Sequence, residues 1–170
     1  LHLLSRRQRQ MCIRDRNPNT YVYFLDVGQG DSTLIVGSHM SYAMLIDTGG
    51  KIKFEQEDWE VRNKEYDGAS NIITFLRSLG LTKLDLLVGT HGDADHLGEA
   101  INLVNNFVVD KVVFNNGSYN DLEKSLIQVL EKKNIPYFQN LSEINLGNNK
   151  FYFINDKEFG DENNNSIVMY

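Results

Sequence analysis

Thr90-His91-Gly92-Asp93-Ala94-Asp95-His96 is the stretch on which the fold turns. Before it, Leu84-Asp85-Leu86-Leu87-Val88-Gly89 reads as a short buried strand ending in glycine. After it, Leu97, Ala100, Ile101, Leu103 and Val104 recur as on a helix that runs to Asn106 and packs on a sheet. Four potential metal ligands, His91, Asp93, Asp95 and His96, therefore sit in one turn between a strand and a helix. Such a turn lies at the carboxyl edge of a sheet, where α/β folds place their sites.

Packing does not account for two imidazoles and two carboxylates within six residues. Ionised carboxylates that close repel one another, and burying them is costly unless a cation compensates. Mixed nitrogen and oxygen donors suit zinc, manganese or iron better than calcium. The run also lacks the further acidic or amide positions and the fixed glycine of a calcium loop. The helix that follows is expected to aim its first N–H groups at the same place, favouring a phosphate or an anionic transition state.

Upstream of the loop the chain reads as strands. Tyr21 to Leu25 is rich in aromatic and branched residues, and Ser32 to Val36 and Tyr42 to Ile46 follow it. Asp26-Val27-Gly28-Gln29-Gly30-Asp31 is a polar turn between the first two strands, and Gly37-Ser38-His39 closes a hairpin with His39 solvated. Gly28-Gln29-Gly30 does not open a helix in a βαβ unit, so it is no dinucleotide fingerprint. By local chemistry Asp26 and Asp31 are turn formers that bond nearby backbone, and Asp47 of Asp47-Thr48-Gly49-Gly50 caps a strand end. Lys51 to Asp67, polar and aperiodic around the lone Trp59, reads as a loop near the site. Ser70 is expected to cap a helix through Ser78 that buries Ile72, Ile73, Phe75, Leu76 and Leu79, with Gly80 as its left-handed stop.

Downstream, Val108 to Phe114 reads as a strand and Asn115-Asn116-Gly117 as a turn. Asn120-Asp121-Leu122-Glu123 resembles a capping box that starts a helix to about Lys133, with Leu122, Leu126, Val129 and Leu130 inward. Ile135 to Phe138, Lys150 to Ile154 and Ser166 to Tyr170 are the remaining strands. No internal repeat or low-complexity linker divides the chain, which implies one domain.

A chain of 170 residues is long enough for one real core. No apolar run is long enough to span a bilayer, and the single cysteine excludes an internal disulfide. No Gly-x-Ser-x-Gly elbow exists, which disfavours a serine hydrolase. Leu1 to Arg16 differs from the rest, holding five of the seven arginines and Cys12. Within it, Arg6-Arg7-Gln8-Arg9-Gln10-Met11-Cys12-Ile13-Arg14-Asp15-Arg16 resembles the translation of a transposase-based sequencing adapter. That reading is preferred to a basic nucleic-acid arm, and residues 1–16 are set aside as non-structural. The net charge of −6 then changes: without those five arginines and Asp15, 12 basic residues face 22 acidic ones, a net of −10. An acidic balance argues against a broad phosphate-binding surface, so bound metals and helix N-termini must attract any nucleic acid.

His91-x-Asp93-x-Asp95-His96 resembles the signature of metallo-β-lactamase-fold hydrolases, whose usual form is His-x-His-x-Asp-His. The chain departs from that form at Asp93. Phe24-Leu25-Asp26-Val27-Gly28-Gln29-Gly30-Asp31-Ser32, Leu45-Ile46-Asp47-Thr48-Gly49-Gly50 and Asn163-Asn164-Asn165-Ser166-Ile167-Val168 complete the likeness. Together with Asp93 they resemble one branch, the C-terminal domain of ComEC-type DNA-internalisation competence proteins. The resemblance implies an α+β fold, an αββα four-layer sandwich over residues 17–170, and two divalent ions, zinc or manganese, with no small organic cofactor. His91 and Asp93 would hold one ion and Asp95 and His96 the other, with Asp95 also orienting the attacking water. Asp26 and Asp31 would line the site, and Asp47 would support the loop through hydrogen bonds. Asn165 or Ser166 falls where the family brings another histidine. The implied partners are a DNA substrate and a membrane channel portion of the same full-length protein, at a bacterial cell membrane.

The family's pattern also continues with a bridging acid and a final histidine that this sequence does not contain. The chain is therefore expected to be incomplete at its C-terminus, to bind metal weakly and to turn over little by itself. Two other functions stay open. One is a free-standing metallo-hydrolase of another phosphodiester; the other is a catalytically degenerate module that grips metal or DNA.

Overall fold

Branched and aromatic residues build β1 (Tyr21–Phe24), β2 (Thr33–Val36) and β3 (Ala43–Ile46), which pair as successive antiparallel neighbours. The computed structural model describes residues 17–50, 67–154 and 163–170. The adapter-like residues 1–16 and nearly all of the expected loop with Trp59 lie outside them. After β3 the chain changes to helical crossovers, which parallel pairing requires. Helix α1 (Gly68–Ser78) leads to β4 (Lys83–Leu84) and β5 (Leu86–Val88). Helices α2 (Ala94–Leu97) and α3 (Ala100–Asn106) lead to β6 (Val108–Val109) and β7 (Val112–Val113). Helix α4 (Asp121–Lys132) leads to β8 (Tyr137–Phe138).

The main sheet has six strands in the order β1-β2-β3-β5-β7-β8, of which β3, β5, β7 and β8 run parallel. Its central strands are buried on both faces, which is why they read as unbroken apolar runs. Leu45, Leu87 and Val112 face the helices, packing with Leu76, Leu103 and Leu126. Met44, Leu86, Val88 and Val113 face the other way. There they meet Ile144, Leu146 and Phe151 from a hairpin formed by β9 (Glu143–Leu146) and β10 (Asn149–Tyr152). The final residues run beside β10: Tyr152 N and Tyr170 N each donate to the other's carbonyl at 2.9 Å. Helices, main sheet and second sheet are the first three layers of the expected αββα order.

Several elements differ from their sequence expectation for identifiable reasons. Leu84 to Gly89 is two strands, because Asp85 occupies the break and pairs with Ala43. Asp85 N donates to Ala43 O, and Ala43 N donates to the Asp85 carboxylate, both at 2.8 Å. Leu84 is thereby released to pair with Val109 in a small β4–β6 sheet. Val108 to Phe114 divides in the same way, with Asp110 N donating to Leu84 O at 2.9 Å. Helix α1 starts two residues before Ser70, whose N–H is capped by the Asp67 carboxylate at 2.8 Å; Asp67, not Ser70, is the cap. The helix expected from Leu97 is interrupted at Glu99, whose N–H donates to Gly49 O at 3.1 Å instead of to the preceding turn; beside it a Cβ on Gly98 would lie 2.9 Å from the Gly50 Cα. Strand β9 was hidden by polar Glu143 and Asn145 alternating with only two apolar residues. The capping box of α4 forms as expected, with Asn120 and Glu123 bonding each other's backbone N–H.

Candidate metal centre

Parallel register assembles the site. Ile46 of β3 pairs with Val88 of β5, and Val88 pairs with Val113 of β7. The residues that follow leave the sheet side by side at one edge: Asp47, then Gly89 and Thr90, then Phe114 and Asn115. Asp47 N donates to Val88 O, and Gly89 N to Val113 O, both at 2.9 Å.

Asp47 sits at a left-handed φ of 57°, a conformation that aspartate adopts more readily than most residues. Its buried carboxylate receives three hydrogen bonds. Thr90 N donates to Oδ1 at 2.8 Å, while the Thr90 hydroxyl at 2.6 Å and His96 Nδ1 at 2.8 Å both donate to Oδ2. Thr48 clamps the other side of the loop, its N–H at 2.7 Å and its hydroxyl at 3.0 Å from the His96 carbonyl. The turn between β5 and α2 is thus tied to β3 near both ends.

These bonds set both imidazole rings. A carboxylate only accepts, so the His96 proton is on Nδ1 and the Nε2 lone pair faces away from Asp47. That Nε2 lies 3.9 Å from Asp95 Oδ2. The Thr90 hydroxyl hydrogen is committed to Asp47, so the Thr90 oxygen, 3.1 Å from His91 Nδ1, accepts there. Ser166 Oγ is 3.2 Å from the same nitrogen. His91 Nε2 then presents its lone pair 3.6 Å from Asp93 Oδ2. The two rings stand 3.8 Å apart at 47°.

The donors come as two nitrogen–oxygen pairs. Among the described residues, no three histidine, cysteine or acidic side chains already converge on one point. The donor chemistry nevertheless fits a divalent metal: both histidines hold the tautomer ligation needs, each beside a carboxylate. The hydrogen bond to Asp47 raises the pKa of His96 above its ordinary value; burial opposes this, and the charges of Asp47, Asp95 and Asp31 add to it. The charged ring carries a second proton on Nε2, and a cation bound there would replace it while the Nδ1 proton stays hydrogen-bonded to Asp47.

Neighbouring loops press close. At Gly30, with φ 81°, a Cβ would lie 1.6 Å from the Asp95 carbonyl oxygen; at Gly50 it would lie 2.3 Å from Ala94 O. The expected pull of a long helix N-terminus is not there. Helix α2 has four residues, and its His96 and Leu97 N–H groups both bond to Asp93 O, at 3.0 and 2.9 Å.

His91, Asp93, Asp95, His96, Asp47 and Ser166 come together. Asp31 is exposed and acts on His96 through its charge. Asp26 is exposed and accepts from Gly28 N at 3.1 Å, and among the described residues no hydrogen bond or ion pair joins it to the loop. Asn165 is buried against Gly117, where a Cβ would lie 2.7 Å from its Nδ2. Sequence reasoning missed Thr48 and Thr90. It also missed a second bond from Asn120, whose Nδ2 donates to Gly92 O at 2.7 Å. The only available signal was a hydroxyl residue directly before His91 and directly after Asp47.

A family model described as the Metallo-beta-lactamase superfamily matches residues 25–166. Over 97 residues, 56% of the chain, the sequence is 37% identical to ComE operon protein 3 of Bacillus subtilis (strain 168). The match spans only 12% of that relative's length. Among solved structures the chain is similar to a metallo-beta-lactamase from Staphylococcus aureus subsp. aureus COL, at 18% identity and a TM-score of 0.49, covering 82% of this chain and 35% of that one. It is also similar to a diphosphatase of the PhnP family, at 18% identity and a TM-score of 0.37, covering 73% and 43%.

Proposed function

The chain belongs to the metallo-β-lactamase superfamily of hydrolases, and from that premise we propose that it is the metal-dependent hydrolase domain of a DNA-uptake competence protein, acting on DNA phosphodiesters. The observation that carries this reading is the pair of imidazoles whose Nδ1 atoms are tied to protein oxygens while each Nε2 faces a carboxylate. The likeness to ComE operon protein 3 and the ComEC-type motifs support DNA as the substrate. Residues 17–170 form the domain, and residues 1–16 are adapter-derived and outside it.

In this reading His91 and Asp93 hold one divalent ion and Asp95 and His96 a second, zinc or manganese. Such ions, when bound, lower the pKa of coordinated water and stabilise charge on a leaving oxygen. The chain's own residues prepare the site. Asp47 and Thr90 keep the Nδ1 protons in place, so that both rings offer Nε2. Asp95, whose carboxylate lies 3.9 Å from His96 Nε2, would also orient the attacking water. Ser166 and Asn165 lie on the His91 side, and Asp31 and Asp26 carry negative charge on the neighbouring turn. A net of −10 over residues 17–170 leaves metal as the main attraction for a phosphate. Among the described residues no helix is long and apolar enough to cross a membrane; the proposed partner is a membrane channel portion of the same full-length protein.

The test is metal-dependent cleavage of single-stranded DNA by the domain carrying the family's remaining ligands, with loss of cleavage in Asp95→Ala. No cleavage with zinc or manganese would sink the nuclease reading. The 170-residue chain alone is expected to bind metal weakly and to be inactive, because those ligands are not among its residues; a tight stoichiometric pair of ions would refute this. A second reading, a metal- or DNA-gripping module without chemistry, is favoured by Asp93 and Ser166 standing where the family has histidines. DNA retention without cleavage would select it.

A further inference from the structure

We infer that Asn120 is a positioning residue of the metal loop, one half of its amide capping α4 while the other half clasps the peptide between His91 and Asp93. This rests on reading that loop as a metal centre. The capping box accounts for two bonds: Asn120 Oδ1 accepts from Glu123 N, and Asn120 N donates to Glu123 Oε2, both at 2.9 Å. The third bond leaves the helix. Asn120 Nδ2 donates to the carbonyl of Gly92 at 2.7 Å, across 28 residues of sequence.

A cap needs only an acceptor, which serine, threonine or aspartate supplies equally well. The Gly92 bond needs a donor on the same side chain, reaching in the opposite direction. Asparagine combines the two on one rigid plane; aspartate has no donor, and serine is an atom shorter. The contact admits little else. A Cβ on Gly92 would lie 2.1 Å from Asn120 Nδ2 and 2.9 Å from the carboxyl carbon of Glu123. Helix α4 is itself fixed, with Leu126 and Leu130 fully buried in the core. Asp47 and Thr90 hold the histidine side of the loop, and Asn120 holds the peptide leading into Asp93. The direction in which Asp93 leaves His91 is therefore referred to the core through α4.

The test compares the 170-residue wild type with Asn120→Ser and Asn120→Asp, which keep the cap and lose the clasp. Zinc affinity is read by competition with a chromophoric chelator, and amide hydrogen exchange is read on the metal-free proteins. The expected result is a zinc dissociation constant raised about 10- to 100-fold in both variants, with faster exchange at residues 91–96 and unchanged exchange within α4. Zinc affinities within about twofold of wild type in both variants would overturn the clasp. So would faster exchange along α4, which would assign Asn120 to capping alone. If the 170-residue wild type takes up too little zinc to titrate, as expected without the family's later ligands, the metal-centre reading is decided on the completed domain, where no zinc uptake would sink it. The exchange data then decide the clasp: loop amides that quicken while α4 stays protected sustain it, and unchanged loop amides overturn it.

Discussion

At the scale of single residues, Asp47 carries the most consequence. Its one buried carboxylate, carried on a backbone with left-handed φ, accepts from the Thr90 backbone, the Thr90 hydroxyl and the His96 ring. Asp47→Asn keeps the volume and tolerates the same φ, but turns an acceptor oxygen into an N–H donor. Zinc affinity is expected to fall about 10- to 100-fold, and metal-free stability by about 1–3 kcal/mol. Chelator competition and thermal melts measure the two, and an unchanged affinity would remove Asp47 from the site. The same bond predicts a pH dependence. The folded-state pKa of His96 lies above its ordinary 6.5, so protonated His96 stabilises the metal-free fold. That contribution is complete below 6.5 and is lost as pH rises through the raised folded value. Zinc requires the neutral ring, so its apparent affinity climbs across the same window. Melts and zinc titrations across it should show both slopes in wild type and flatter ones in Asp47→Asn.

At the scale of elements, the site depends on close backbone approach as much as on ligands. The β1–β2 turn meets α2 at Gly30, where no side chain fits beside the Asp95 carbonyl. Gly30→Ala is expected to displace α2 and weaken zinc binding at least tenfold, on the scale of a lost loop support. An unchanged zinc titration would show that the two loops move independently. Helix α1 offers a control. Asp67→Ala removes its cap at Ser70 N and should cost about 1 kcal/mol in a denaturant melt while leaving zinc affinity alone. Much of this level was legible beforehand: the four-residue spacing of the α4 capping box and the Gly80 stop were read correctly because they are local. The breaks at Asp85 and Asp110 were not, because the partners that divide those strands are Ala43 and Leu84, distant in sequence.

At the scale of the whole molecule, the metal loop is anchored through Leu97, fully buried in the helix-side core directly after His96. Leu97→Ala is expected to cost about 2–5 kcal/mol, and the metal-loaded protein should lose more than the metal-free one, because the cavity opens beneath His96. Equal losses in paired melts would separate the loop from the core. The acidic balance yields a second expectation for the intact domain. If metals do the attracting, DNA binding should vanish on chelation and depend only shallowly on salt, since few phosphates meet lysine or arginine. A steep salt slope that survives chelation would point to a basic surface outside the described residues.

Residue type and short spacing alone carry the chemistry on offer: two imidazoles and two carboxylates in one turn, apolar runs long enough to be buried on both faces, the Gly80 stop of α1 and the capping box of α4. Those features are legible because each depends on residue type and short spacing. Tertiary contacts alone set which nitrogen of each histidine faces outward, that Asp31 acts on His96, and that Asn120 serves the loop as well as its helix. The bonds from Thr90 and His96 to Asp47 span 43 and 49 residues. They exist because parallel pairing sets β3 beside β5, a neighbour relation that no linear spacing encodes.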